Sequence, residues 1–138
     1  MHILFVCTGN TCRSPMAERL GRLLHPAHVF ESAGVIPAGG IHPLTRRVLI
    51  ERGAVAEGFE CRDVATLELE SYDTIVLIGE TARSLCPGLP PHTAVHYWEV
   101  KDPIEADGTE DEMLHAYRAC ANELILRIGR LVTSGSAD

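Results

Sequence analysis

The chain has 138 residues, 46% of them hydrophobic, which suits one domain with a buried core. Nineteen acidic residues against twelve basic ones give a formal net charge of −7, which argues against binding nucleic acid or an anionic membrane surface. The apolar runs are too short to span a membrane, and no basic segment precedes the first of them. With five cysteines, an odd number, we expect no disulfide framework and a cytoplasmic location.

The first half of the chain predicts two strands and two helices. The apolar run 3–6 indicates a buried strand, and a helix is expected to follow, with Ser14 as its cap and Pro15 in its first turn. A second strand is predicted over 28–32. A second helix is predicted to begin at Pro43, after a glycine-rich loop.

The second half continues the alternation. The run 74–78 predicts a third buried strand, followed by a short helix that stops at Cys86. A fourth strand is expected over 94–98. Thr109 and Glu112 form a capping-box pattern that predicts the start of the last helix.

This alternation predicts an α/β fold in which a mostly parallel sheet carries helices on both faces. The domain is expected to span residues 1–133, with 134–138 as a short tail. In such folds, ligands bind at the carboxyl ends of the strands.

A cysteine at the end of the first strand is the strongest chemical signal. Cys7 opens the sequence Cys-Thr-Gly-Asn-Thr-Cys-Arg-Ser-Pro, a loop that leads into a helix. Loop amides and a helix N-terminus favour both a thiolate and a bound tetrahedral oxyanion, and Arg13 can hold two oxygens of that anion with its planar fork. Gly9 and Asn10 tolerate the backbone turn, and Ser14 could donate its hydroxyl to the sulfur. The competing interpretation is a buried structural cysteine, which the strand–loop–helix context disfavours.

A phosphate ester attacked by a thiolate needs an acid to protonate its leaving group. The stretch 99–112 holds seven carboxylates, most of which are expected to be solvated. Asp102, followed by Pro103, lies just after the fourth strand, at the end of the sheet where ligands bind. Asp102 is therefore the candidate acid.

The stretch 6–18 closely resembles the active-site loop of the low-molecular-weight protein-tyrosine-phosphatase family, and the similarity extends over nearly the whole chain. The resemblance implies a flavodoxin-like three-layer fold with four parallel strands. It also implies a phosphatase that acts on phosphorylated proteins and uses no metal or other cofactor.

The same resemblance implies roles for individual residues. Cys7 would form a phosphocysteine, Arg13 would bind the phosphoryl group, and Asp102 would serve first as acid and then as base. Cys12 would form a reversible disulfide with the nucleophile. The residues expected to bind phosphate or a similar oxyanion are Thr8, Gly9, Asn10, Thr11, Cys12 and Ser14.

Three departures bear on the substrate. Thr11 replaces a bulky aliphatic residue, and the loop matches that of the family branch that acts on phosphoarginine, where a short polar side chain could admit a guanidinium group. Ile104 stands where an aromatic wall residue is usual. The segment 79–82 lacks the aspartate and asparagine typical of tyrosine enzymes. Thr11 favours phosphoarginine over phosphotyrosine, unless it is a neutral variation.

Two other classes stay open. Arsenate reductases have a similar loop and a similar stretch at 96–98, but they usually carry glutamine where this chain has Pro15. They also need a cysteine relay, for which Cys86 is the first candidate and the buried-type Cys120 is the next cysteine along the chain. A noncatalytic phosphate-binding module is the third class. The chain has no Cys-x-x-Cys pair, so we expect no zinc site, and Cys61 is expected to be a small buried side chain.

Overall fold

The computed structural model describes residues 1–134 and contains one four-stranded parallel sheet in the order β2-β1-β3-β4. The strands are β1 (His2–Cys7), β2 (Val29–Gly34), β3 (Thr74–Ile78) and β4 (Ala94–Trp98). All three pairings are parallel, so each connection crosses over one face of the sheet. The strand order is that of flavodoxin-like folds, which confirms the predicted architecture.

Helices cover both faces because β1 is buried on both sides. The helices are α1 (Arg13–Leu24), α2 (Pro43–Glu51), α3 (Glu80–Leu85) and α4 (Glu110–Ser134). Ile3 and Phe5 face a core shared with α1, α2 and α4, whereas Leu4 and Val6 face a second core that includes Ala82 of α3. This alternation along one strand produces the three layers.

The predicted helix starts had different outcomes. The capping box is confirmed, since the Thr109 amide donates to Glu112 Oε1 and the Glu112 amide donates to Thr109 Oγ1, each at 3.1 Å. The predicted Ser14 cap is wrong: α1 begins at Arg13, and Cys12 occupies the cap position without a side-chain cap hydrogen bond. The Ser14 hydroxyl is engaged by the site described below.

Other bounds shift slightly. β2 begins one residue later than predicted and continues to Gly34, because its last residues pair with the end of β1. Ser134 ends α4, and the rest of the predicted tail, 135–138, lies outside the described residues. Cys61 is half-buried rather than buried, and its thiol donates to the Gly9 carbonyl at 3.3 Å. Within residues 1–134, no helix combines the length and apolar character needed to cross a bilayer.

The topology places three chain segments at one edge of the sheet. β1 ends at Cys7, β3 ends just before Gly79, and β4 leads into Val100 and Asp102. Because parallel strands share one carboxyl edge, these segments converge where flavodoxin-like folds bind their ligands.

Candidate active site

The backbone carbonyls of the loop from Cys7 to Arg13 accept hydrogen bonds from a neighbouring segment. Segment 35–42, which follows β2, donates four amide hydrogen bonds to these carbonyls: Val35 to Cys7 (3.1 Å), Ile36 to Thr8 (2.8 Å), Ala38 to Gly9 (3.1 Å) and His42 to Thr11 (3.0 Å). The amides of residues 9–12 donate no hydrogen bond within residues 1–134. Backbone amides are normally paired, so a cluster of unpaired amides beside a helix N-terminus is a site for an anion.

Two residues permit this backbone path. Asn10 adopts φ 56°, a left-handed conformation that asparagine tolerates better than most residues. Gly34 lies under the loop, where a Cβ atom would be 2.8 Å from the Thr8 carbonyl oxygen and 2.9 Å from the Asn10 amide nitrogen. Only glycine fits at position 34 without moving the loop.

A buried chain of side-chain hydrogen bonds fixes the Asn10 amide. Its Oδ1 accepts from the Arg62 backbone amide at 2.9 Å, so its Nδ2 faces inward and donates to Ser14 Oγ (2.8 Å) and Ser32 Oγ (3.0 Å). Ser32 in turn donates to Glu18 Oε1 at 3.0 Å. The Asn10 amide and the Ser32 hydroxyl therefore have defined hydrogen-bond directions.

The direction of these bonds determines what Cys7 receives. Ser14 Oγ accepts a hydrogen bond from Asn10. Its own hydroxyl can donate to Cys7 Sγ at 2.8 Å or to the Ala33 carbonyl at 3.4 Å. The shorter contact favours donation to sulfur, which suits a thiolate acceptor. Cys7 is 2% exposed, so this hydroxyl is a large part of its polar surroundings.

Arg13 joins the Cys7–Arg13 loop to the segment after β4. Its Nη1 donates to the Val100 carbonyl at 3.0 Å, and its Nη2 lies 3.4 Å from Thr8 Oγ1 and 3.2 Å from Asp102 Oδ2. Its Nε is buried and has no hydrogen-bond partner within residues 1–134. Arg13 is 6% exposed, and its unpartnered Nε is a donor that a ligand could engage.

Asp102 is positioned by the turn that it begins. Its Oδ1 accepts from the Ile104 amide at 3.1 Å and caps the 3-10 turn Pro103–Glu105, while its Oδ2 faces Arg13. The carboxyl group lines a cleft of about 690 Å³, and Thr8, Arg13 and Gly79 line the same cleft. The cleft is large enough for a phosphorylated amino-acid side chain.

The remaining cysteines lie in different surroundings. Cys12 is buried near the Tyr117 hydroxyl (3.6 Å) and the Thr11 hydroxyl (3.7 Å), and burial raises the pKa of its thiol. Burial also raises the pKa of Cys86, and it raises that of Cys120 to about 12. All five thiols are free, and residues 1–134 contain no group of three or more His, Cys, Asp or Glu placed to hold a metal ion.

Every site residue named from the sequence lies in or beside this constellation, but several supporting groups were missed. Ser32 and Gly34 at the end of β2 and Gly79 after β3 are residue types that could have indicated these supporting positions from the sequence. The sequence gives no signal for the Val100 carbonyl or the amides of segment 35–42, because every residue type carries these backbone groups. It also gives no signal that Glu18 is buried.

Comparison with known proteins agrees with this geometry. The model of the family described as low molecular weight phosphotyrosine protein phosphatase matches residues 2–134. An arsenate reductase of Bacillus licheniformis is 31% identical over 139 residues, covering 96% of each chain. A Staphylococcus aureus protein, low molecular weight protein-tyrosine-phosphatase PtpB, is 31% identical over 141 residues, covering 96% of this chain and 99% of its own.

Among solved structures, an arsenate reductase from Archaeoglobus fulgidus superposes with a TM-score of 0.78 and 35% identity, covering 94% of this chain and 98% of its own. Relatives of both names therefore match this chain at nearly full length.

Proposed function

This chain belongs to the low molecular weight phosphotyrosine protein phosphatase family, and we propose that it is a cysteine-dependent phosphatase acting on phosphorylated proteins. The observation that carries the proposal is that Cys7, whose Sγ lies 2.8 Å from Ser14 Oγ, adjoins unpaired loop amides, while Arg13 joins the same loop to Asp102. This arrangement supplies a nucleophile, an oxyanion site and an acid on connected segments at one edge of the sheet.

In the first step, the Cys7 thiolate attacks phosphorus, and a sulfur–phosphorus bond forms as the bond to the leaving group breaks. Asp102 gives its proton to the departing atom, which is oxygen in phosphotyrosine and nitrogen in phosphoarginine. Loop amides and Arg13 hold the equatorial oxygens, where negative charge is spread in the transition state.

In the second step, water attacks the phosphocysteine. Asp102, now a carboxylate, accepts a proton from the water as its oxygen bonds to phosphorus. The sulfur–phosphorus bond breaks, inorganic phosphate leaves and the thiolate is restored. The Ser14 hydroxyl stabilises the thiolate that departs in this step.

For the substrate, we propose phosphoarginine before phosphotyrosine, from two features. Thr11 places a small hydroxyl-bearing side chain, half exposed, on the Cys7–Arg13 loop, where the resemblance implies a bulky aliphatic group in tyrosine enzymes. Ile104 beside Asp102 is 52% exposed and supplies no aromatic wall. Wild-type protein and Thr11→Ile should be compared on phosphoarginine and phosphotyrosine peptides; an unchanged ratio of the two rates would exclude this role for Thr11.

The general proposal is tested with Cys7→Ser and the matched variant Cys86→Ser. Cys7→Ser should lose turnover of p-nitrophenyl phosphate yet still bind phosphate, and Cys86→Ser should keep turnover. Activity remaining in Cys7→Ser would exclude the mechanism. Wild-type protein that binds phosphate tightly without turnover would be a noncatalytic phosphate-binding module.

The second candidate is arsenate reduction, which the relatives of that name favour. Here the Cys7 thiolate would bind arsenate, and Cys7 and Cys86 would form a disulfide as arsenic is reduced, with thioredoxin as the external reductant. Cys86 ends α3 and is half-buried, and the next cysteine, Cys120, is 5% exposed in α4. Thioredoxin-dependent arsenate turnover that disappears in Cys86→Ala would support this function and displace the phosphatase proposal.

A further inference from the structure

The cleft that Arg13 lines is also lined by several acidic side chains. We define the acidic rim as Glu80, Glu99, Glu105 and Glu123, which line the cleft together with Asp102. The cations on the same lining are Arg13 and Lys101. Carboxylates therefore outnumber cations on the lining of the cleft that holds the buried Arg13.

Ion pairs within the chain neutralise only part of the rim. Glu123 pairs with Arg127 at 2.9 Å, and Glu80 lies 3.9 Å from Arg83, an exposed contact. Glu99 and Glu105 form no ion pair within residues 1–134. Lys101 can neutralise only one of these two unpaired carboxylates. The other cation on the lining, Arg13, would be engaged by a bound phosphate.

The wall of the cleft already accommodates one guanidinium. Arg83 places its guanidinium carbon 4.8 Å from the centre of the Tyr97 ring, and Tyr97 lines the same cleft as Glu80 and Glu99. Stacking on an aromatic face beside a carboxylate is a general way to bind arginine side chains. The rim chemistry suits basic groups, whereas a second anionic group would meet repulsion.

We propose that the acidic rim binds basic side chains flanking the phosphorylated residue, so that preferred protein substrates carry Lys or Arg beside the phosphorylation site. This inference rests on the proposed phosphatase function and extends it to the surrounding peptide. The phosphate would enter the unpaired loop amides and meet the free Nε of Arg13, and the neighbouring side chains would then reach Glu99 and Glu105. A cleft lined by one sign of charge also favours encounter with oppositely charged segments.

The experiment compares kcat/KM for two phosphopeptides that differ only in their flanking residues, Lys in one and Glu in the other. The phosphorylated residue is whichever of phosphoarginine or phosphotyrosine the wild-type protein hydrolyses faster. Wild-type protein should prefer the Lys peptide by about two- to five-fold for each flanking charge that reaches the rim. Glu99→Gln combined with Glu105→Gln should reduce this ratio towards one.

Asp107→Asn is the matched control, because Asp107 is exposed in the same acidic stretch but does not line the cleft. The ratio should survive in Asp107→Asn. It should also fall as salt rises from about 0.05 M to about 0.5 M in the wild-type protein, because exposed charges are screened.

Equal rates on the two peptides, or a ratio unchanged in the double variant, would overturn the proposal. An equal fall of the ratio in Asp107→Asn would also overturn it, since the preference would then come from the net charge of the chain. p-Nitrophenyl phosphate has no flanking residues, so its turnover by the wild-type protein separates these outcomes from a failure of the phosphatase proposal.

Discussion

Gly79 lies so close to the guanidinium of Arg13 that a Cβ atom at this position would overlap Nη1 and approach Cζ to 3.2 Å. The glycine has φ +89°, which side-chain-bearing residues rarely adopt, and its amide is held by the Trp98 carbonyl at 3.0 Å. The Trp98 carbonyl holds Gly79 and the Val100 carbonyl holds Arg13 Nη1, so neither residue can move away easily.

Gly79→Ala should therefore displace the guanidinium. Hydrogen bonds to charged groups contribute about 1.5–3 kcal/mol, so phosphate affinity and kcat/KM should fall roughly ten- to a hundred-fold. Phosphate titration by calorimetry measures the effect. Gly88→Ala is the control, since a Cβ atom there meets nothing within 4 Å, and equal phosphate affinity in the two variants would contradict the assigned contact.

Ser14→Ala removes the hydroxyl that donates to Cys7. We expect alkylation of Cys7 by iodoacetamide at fixed pH to slow, and hydrolysis of the phosphocysteine to become the slow step, with an effect of about ten- to a hundred-fold. Rapid-mixing kinetics on p-nitrophenyl phosphate would show a larger initial burst. Ser71→Ala, at an exposed serine whose hydroxyl donates to the Glu68 carbonyl, should behave as wild type. A Ser14→Ala variant with wild-type kinetics would remove the hydroxyl from the mechanism.

Asp102→Asn keeps the turn at Pro103 but removes the transferable proton. Loss of general acid catalysis costs about 10²- to 10⁴-fold, and the loss should grow as the leaving group becomes more basic. A series of aryl phosphates measures this dependence. Asp63→Asn is matched, because Asp63 caps another 3-10 turn in the same way, accepting from the Ala65 amide at 2.9 Å. An equal loss across the whole series would argue against proton transfer.

Glu18→Gln tests the far end of the hydrogen-bond chain. Glu18 is 3% exposed, accepts from Ser32 at 3.0 Å and pairs with Arg19 Nε at 2.8 Å. Because an amide can donate where the carboxylate only accepts, we expect a loss of about 1–3 kcal/mol in the free energy of unfolding. Urea denaturation measures it, with exposed Glu68→Gln as control. Equal stability of the two variants would show that the carboxylate charge is dispensable.

Glu31 makes stability depend on pH. Burial raises the pKa of Glu31, but hydrogen bonds from His2 and Tyr72 and the charges of His2 and Arg62 outweigh it, so the pKa lies below the ordinary 4.5. A lowered folded-state pKa contributes stability that is present above the unfolded value and is lost as pH falls through the folded value.

Glu31→Gln should therefore be less stable than wild type at about pH 7, and the difference should shrink below about pH 4.5. Thermal unfolding across this range measures the difference, with the exposed Glu70→Gln as control. A difference that stays constant down to about pH 3 would mean that the Glu31 charge is not responsible.

Local signals accounted for most elements of the fold. The apolar runs of β3 and β4 and the Thr109–Glu112 capping box were predicted at their observed positions, since each depends on neighbouring residues. Ser14 was assigned to a cap because serine commonly caps helices. In the structure its hydroxyl accepts from Asn10 and lies against Cys7, a contact that only the closed loop creates.

The surroundings of the site were harder to predict for the same reason. The contacts between Asn10 and Ser32 and between Arg13 and Val100 join residues 22 and 87 positions apart. Asn10 contacts the Ser32 hydroxyl, a common side-chain group, and Arg13 contacts the Val100 backbone oxygen. Such contacts follow from strand order and crossover geometry, which a single sequence pattern does not encode.

One guanidinium contacts both the Cys7–Arg13 loop and Asp102. Arg13 Nη2 forms an ion pair with Asp102 Oδ2 at 3.2 Å. Under the proposed function, an arriving phosphate dianion competes with Asp102 for this same guanidinium. Phosphate binding should therefore lengthen the contact between Arg13 and Asp102, which couples the anion site directly to the turn at Pro103.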